Sequence, residues 1–101
     1  MHQIEVINKK KYADIISEKK VQLVDVRTPE EFSEGSISHA QNINVMSPDF
    51  IDQIEEFSKS EPVYVYCKSG ARSLKAAEIM VSRGFSKVID LEGGYMNWID
   101  A

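Results

Sequence analysis

The stretch V-Y-V-Y-C-K-S-G-A-R-S-L-K-A-A-E-I-M-V-S-R, Val63 to Arg83, joins a strand to a helix through a short loop. Val63 to Tyr66 is apolar, β-branched and aromatic, the pattern of a buried strand. The run stops at Cys67, the only cysteine in the chain. Lys68, Ser69, Gly70, Ala71 and Arg72 follow, and a helical pattern starts at Ser73. A strand that feeds a helix N-terminus in this way turns backbone N–H groups inward, and the helix dipole adds partial positive charge. Anions bind at such places, and a thiol there is favoured as its thiolate. Lys68 and Arg72 bring two full positive charges to the same loop.

On the N-terminal side, Ile4 to Ile7 reads as a first strand. Asn8 can cap a helix over about Lys9 to Lys19, with Tyr12, Ile15 and Ile16 on one face. Val21 to Val26 reads as a second strand, buried on both faces. Thr28-Pro29-Glu30-Glu31 then has an N-cap, a proline suited to the first helical position, and a capping-box glutamate. That short helix ends near Gly35, which can take the left-handed conformation. After a loop over Ser36 to Gln41, Asn42 to Val45 predicts a short strand. Ser47-Pro48 repeats the cap-plus-proline start, and Phe50, Ile51, Ile54 and Phe57 form the core-facing stripe of the helix it opens. Lys59 to Pro62 is a turn into the central stretch. Its helix, Ser73 to Arg83, is expected to turn Leu74, Ala77, Met80 and Val81 inward and to end at Gly84. Lys87 to Leu91 predicts a last strand. Gly93-Gly94 then turns the chain into a terminal helix around Tyr95 to Ile99, anchored by Trp98.

Strands alternating with helices imply an α/β fold with a central, mainly parallel sheet of about five strands and helices on both faces. Functional sites of such sheets lie at the carboxyl ends of strands, which is where Cys67 falls. With 101 residues, 43% of them hydrophobic and 28% charged, the chain reads as one domain over 1–101. The net charge of -4, with no basic stripe, excludes general nucleic-acid binding, so Lys9, Lys10 and Lys11 read as a solvated helix start. No apolar run approaches the roughly 18 residues of a membrane span. The N-terminus lacks the pattern of a secretory signal, and a single cysteine suits a reducing compartment, so a cytoplasmic location is expected. His2 and His39 are far apart, with no cysteine or carboxylate at ligand spacing, so neither a metal nor a cofactor is expected.

Three stretches together resemble the rhodanese family of sulfurtransferases: L-V-D-V-R-T-P-E-E-F-S-E-G-S-I at 23–37, C-K-S-G-A-R-S at 67–73, and L-E-G-G-Y-M-N-W at 91–98. The resemblance covers nearly the whole chain, with the three stretches in the family's order and spacing. One departure is the segment Ser36-Ile37-Ser38-His39, where the family usually has His, Ile, Pro and Gly. The resemblance implies a rhodanese-like fold and a two-step nucleophilic reaction. Cys67 takes the outer sulfur of thiosulfate or another persulfide donor, then passes it to a thiol, cyanide or a protein cysteine. The N–H groups from Lys68 to Ser73 cradle the terminal sulfur. Lys68 and Arg72 hold the anionic donor, and Gly70 permits the tight turn.

The family's phosphatase relatives have five residues between cysteine and arginine, and this chain has four between Cys67 and Arg72. A tighter ring of donors suits one terminal sulfur better than a tetrahedral phosphate. A thiol-disulfide reductase or a relay-type arsenate reductase needs a second cysteine, which the chain lacks. The alternative to a small-molecule enzyme is a sulfur-carrier or regulatory module that acts on protein partners, with a protein persulfide as donor. No small-molecule pocket is legible beyond the loop. Asp25 and Arg27 read as a structural clasp, Glu31 as a helix cap, His39 as an ordinary loop histidine, and Tyr95 and Trp98 as core closure.

Overall fold

The computed structural model describes residues 3–100. Five strands form one sheet: β1 (Ile4–Ile7), β2 (Gln22–Asp25), β3 (Gln41–Asn42), β4 (Val63–Tyr66) and β5 (Val88–Leu91). Their order is β1-β5-β4-β2-β3, and every pairing is parallel. The central strand is β4, flanked by β5 and β2. All four of its residues are buried, as an apolar run of this kind requires.

The helices are α1 (Lys9–Glu18), α2 (Pro29–Glu34), α3 (Phe50–Ile54), α4 (Ala71–Ser82) and α5 (Gly94–Ile99). They cover both faces. On one face Val24, Val63, Val65 and Val88 pack with Phe50 and Ile54 of α3 and Ala76, Ala77 and Met80 of α4. On the other, Leu23, Tyr64, Tyr66 and Ile89 pack with Tyr12 of α1, and Tyr95 and Trp98 of α5 close the edge. Cys67 belongs to the first cluster.

Local signals place most of these elements. The Asn8 side chain accepts from the Lys11 amide at 2.9 Å, the expected cap of α1. Thr28 and Glu31 form the full capping box of α2, with Pro29 opening the helix.

Several expectations are corrected. Strand β2 covers Gln22–Asp25 only, and β3 is Gln41–Asn42 rather than 42–45. Helix α3 starts at Phe50, because the Ser47 hydroxyl engages the Asp49 carboxylate instead of capping an amide. Its apolar stripe is shorter than predicted: Phe50 and Ile54 are buried, while Ile51 is exposed. Helix α4 begins at Ala71, two residues before the predicted start, and Gly70 is its N-cap. The inward stripe is Ser73, Ala76, Ala77 and Met80, and Leu74, about 100° round the helix from Ser73, is 44% exposed. Gly35 ends α2 at φ 157° and ψ 145°, outside the left-handed helical region. That positive φ is one that residues with a side chain rarely adopt, and a Cβ there would also sit 2.8 Å from the Tyr95 hydroxyl.

Candidate active site

Cys67 follows directly on β4, at the carboxyl edge of the sheet. Its backbone is fixed from two sides. The Tyr66 carbonyl accepts from the Val26 amide at 3.0 Å. The Cys67 and Lys68 carbonyls accept from the Tyr95 and Met96 amides, at 2.8 and 3.1 Å. The first turn of α5 therefore lies against the loop backbone. Gly94 makes this approach possible: its φ is +65°, and a Cβ would meet the Lys68 oxygen at 2.5 Å and the Cys67 oxygen at 2.6 Å. Gly94 of the closing stretch thus belongs to the construction of the cysteine loop.

The Gly70 amide donates to Cys67 Sγ at 3.0 Å. Gly70 has φ +119°, where a side chain is strained, and open space lies where its Cβ would be. The first amides of a helix have no intrahelical acceptor, so those of Ala71, Arg72 and Ser73 add partial positive charge here. Cys67 itself is 1% exposed. Such an arrangement favours an anionic sulfur and, by the same donors, an anion attached to it.

The structure brings the predicted loop residues together but gives them different parts. Lys68 and Ser69 are exposed, and among the described residues Lys68 makes no ion pair. The Ser73 side chain is fully buried, and its hydroxyl donates to the Gly70 carbonyl at 3.1 Å, so it braces the turn. The Arg72 guanidinium is engaged: Nη1 donates to Glu31 Oε1 at 2.7 Å and Nη2 to Oε2 at 3.0 Å. The Arg72 hydrogen bonds hold the Glu31 carboxyl down at about 2, and Glu31 in turn raises the arginine further. The sequence marked Glu31 only as a cap. The capping box accounts for that residue fully, so nothing in the pattern pointed to Arg72, 41 positions later.

Asp25 and Arg27 form the expected clasp, buried, with Arg27 Nη2 to Asp25 Oδ2 at 2.6 Å. Arg27 also donates to the Gly35 carbonyl at 2.6 Å and lies 4.4 Å from the Tyr95 ring centroid. It ties the end of α2 to α5 beneath the site. The Tyr66 hydroxyl accepts from the Ile37 amide at 3.0 Å, so the departing segment Ser36-Ile37-Ser38-His39 is anchored to the central strand. His39 has φ 71° and lines a cleft of about 630 Å³ with Ile16, Lys20 and Leu23. This cleft includes no residue of the cysteine loop.

Asp90, on β5 beside Val65, is 3% exposed, and its Oδ1 has no hydrogen-bond partner among the described residues. Burial pushes its carboxyl up to about 6, and the Leu91 amide offsets part of that rise. A single aspartate in a β-run gave no warning of this. Among the described residues no group of three His, Cys, Asp or Glu side chains could hold a metal ion. His2 lies outside the described residues. No described helix is long and apolar enough to cross a membrane.

A family model described as "Rhodanese-like domain" matches residues 8–101. The chain is 41% identical over 85 residues to "Thiosulfate sulfurtransferase 16, chloroplastic" of Arabidopsis thaliana, covering 74% of this chain and 71% of that protein. It is 38% identical over 87 residues to "Senescence-associated protein DIN1" of Raphanus sativus, covering 76% of this chain and 48% of that protein. A crystal structure of a rhodanese-like domain protein from Staphylococcus aureus superposes with a TM-score of 0.84 at 34% identity, covering 95% of this chain and 92% of the other.

Proposed function

The chain belongs to the rhodanese-like domain family, and from that premise we propose that it is a sulfurtransferase that carries a sulfane sulfur on Cys67 as a persulfide. The observation that supports this reading most directly is the Gly70 amide on Cys67 Sγ at 3.0 Å, at the head of a 12-residue helix. In the first step the Cys67 thiolate attacks the outer sulfur of thiosulfate. A bond forms from Sγ to that sulfur, the donor S–S bond breaks, and sulfite leaves with the bonding pair. In the second step an acceptor (a thiolate, cyanide or a protein cysteine) attacks the terminal sulfur, and the Sγ–S bond breaks to return the thiolate. Between the steps, the loop amides stabilise the anionic terminal sulfur. Cytoplasmic placement belongs to the same proposal, since a lone reactive thiol persists in a reducing compartment.

Intact mass spectrometry tests the scheme. Thiosulfate is expected to add one sulfur to the protein, mapped to Cys67 and removed by cyanide. Cys67→Ser is expected to abolish the gain with the far-UV circular dichroism unchanged. Transfer that survives this substitution would rule out the scheme.

A second reading, transfer between protein partners, is favoured by two exposed apolar side chains next to the loop. Leu74 is 44% exposed in the first turn of α4, and Met96 is 55% exposed where its amide holds the Lys68 carbonyl. Solvent-facing apolar groups beside a reactive sulfur suit a protein surface. Loading by a persulfidated cysteine desulfurase at a concentration where thiosulfate gives none would select this reading.

A further inference from the structure

The charge balance at the loop differs from what its residues suggest. Lys68 and Arg72 offer two positive charges, but Arg72 is held by Glu31 through both Nη atoms. That fork is the geometry by which arginine grips an oxyanion, and a carboxylate already fills it. The carboxylate is held from behind as well: Glu31 Oε1 accepts from the Thr28 amide and from the Thr28 hydroxyl, each at 3.1 Å. Four donors thus fix Glu31, and the two side chains are only 28% and 25% exposed. Releasing Arg72 to a substrate would break two charge-assisted hydrogen bonds and strand a capped carboxylate. Lys68 alone stays exposed and outside any ion pair among the described residues.

We propose that Glu31 is a positioning residue that keeps Arg72 out of donor binding, so that the site presents one free side-chain charge and favours a persulfide donor, R–S–SH, over doubly charged thiosulfate. This rests on the sulfur-transfer reading above and names its donor class. The loading step balances: the Cys67 thiolate attacks the outer sulfur of R–S–SH, a bond forms from Sγ to that sulfur, the donor S–S bond breaks, and the pair leaves on R–S⁻. The proton stays on the transferred sulfur until it is lost to water or to R–S⁻. The leaving group carries one charge, whereas sulfite carries two, so a second side-chain cation is not needed to receive it.

The test separates local charge from sulfur chemistry. Cys67 is alkylated with iodoacetate, an anion, and with iodoacetamide, which is neutral, and the ratio of rates reports the field that an incoming anion meets. Glu31→Gln keeps a capping-box side chain and removes the charge. It is expected to raise the ratio about fivefold at low salt, an effect that shrinks as salt is added. Lys68→Gln, an exposed position, is expected to lower the ratio by a similar factor. For sulfur loading, Glu31→Gln is expected to lower the KM for thiosulfate about fivefold with little change in kcat, and to alter loading from 2-hydroxyethyl persulfide less than twofold. An unchanged or lower alkylation ratio in Glu31→Gln overturns the role of Glu31. If neither donor loads Cys67 in either form, the sulfur-transfer reading falls and the donor class with it, while the alkylation ratio still decides whether Glu31 sets the charge.

Discussion

Gly94 tolerates no side chain. Its left-handed φ and the 2.5 Å approach of its virtual Cβ to the Lys68 oxygen act together, and the atoms in the way are backbone, which cannot swing aside. Gly94→Ala is therefore expected to lower stability by about 3 kcal/mol, measured by urea unfolding, and to displace the loop it clamps. Slower alkylation of Cys67 under native conditions would accompany it. An unchanged unfolding midpoint would mean that α5 shifts without cost. Gly94 was visible in the sequence as part of a turn. Its contact with the cysteine loop was not, because Lys68 and Gly94 meet only after the chain has formed α4 and β5.

At the scale of elements, α4 meets β5 over a buried carboxyl. Asp90 has a folded pKa of about 6, above its ordinary 3.8. Between these values the folded state holds more protons than the unfolded one, so this group makes stability fall as pH rises through that window. Asp90→Asn removes the charge with nearly the same shape. It is expected to stabilise the protein by about 2 kcal/mol at pH 7 and to make little difference near pH 3. Chemical denaturation at the two pH values checks this, and a destabilised variant at pH 7 would contradict it. Glu31, between α2 and α4, works in the opposite direction. Its pKa is lowered to about 2, so its contribution is fully present above its ordinary 4.5 and is lost as pH falls from there through 2. In Glu31→Gln, acid unfolding is expected to begin at lower pH relative to neutral stability. An acid limb identical to that of the unaltered protein would show that the pair with Arg72 contributes nothing to folding.

Across the whole molecule, the two faces of the sheet are coupled through β4. Tyr12 of α1 is fully buried, and its hydroxyl donates to the Val65 carbonyl at 3.0 Å. Its ring meets Tyr64 and Trp98 edge-on, with centroids 5.6 and 6.2 Å apart. Tyr12→Phe keeps the rings and loses the hydrogen bond, and is expected to cost about 1 kcal/mol. On the opposite face, Met80 of α4 is fully buried against the sheet. Met80→Ala is expected to cost about 3 kcal/mol through the cavity it leaves. Thermal unfolding ranks the two, and a Met80→Ala variant as stable as Tyr12→Phe would show that this face repacks freely.

The sequence by itself determined the elements and their layering. A run of four β-branched and aromatic residues such as Val63 to Tyr66 suits a buried strand, Asn8 and Thr28 cap amides three positions away, and Pro29 suits the first helical position, so these signals are local. It also placed Cys67 at a strand end before a helix, because that too is a matter of neighbours along the chain. Element boundaries were less legible. Ala71 and Arg72 join α4 because Gly70 takes up the turn, and the face that meets the sheet runs through Ser73, Ala76, Ala77 and Met80, which leaves Leu74 outside the core. Only the tertiary structure decided which charges the loop keeps. Arg72 meets Glu31 across 41 positions, Gly94 meets Lys68 across the sheet edge, and Asp90 is buried without a partner for Oδ1 among the described residues. Each depends on where whole elements come to rest. Pairing and burial are properties of distances in space, which a one-dimensional pattern does not contain.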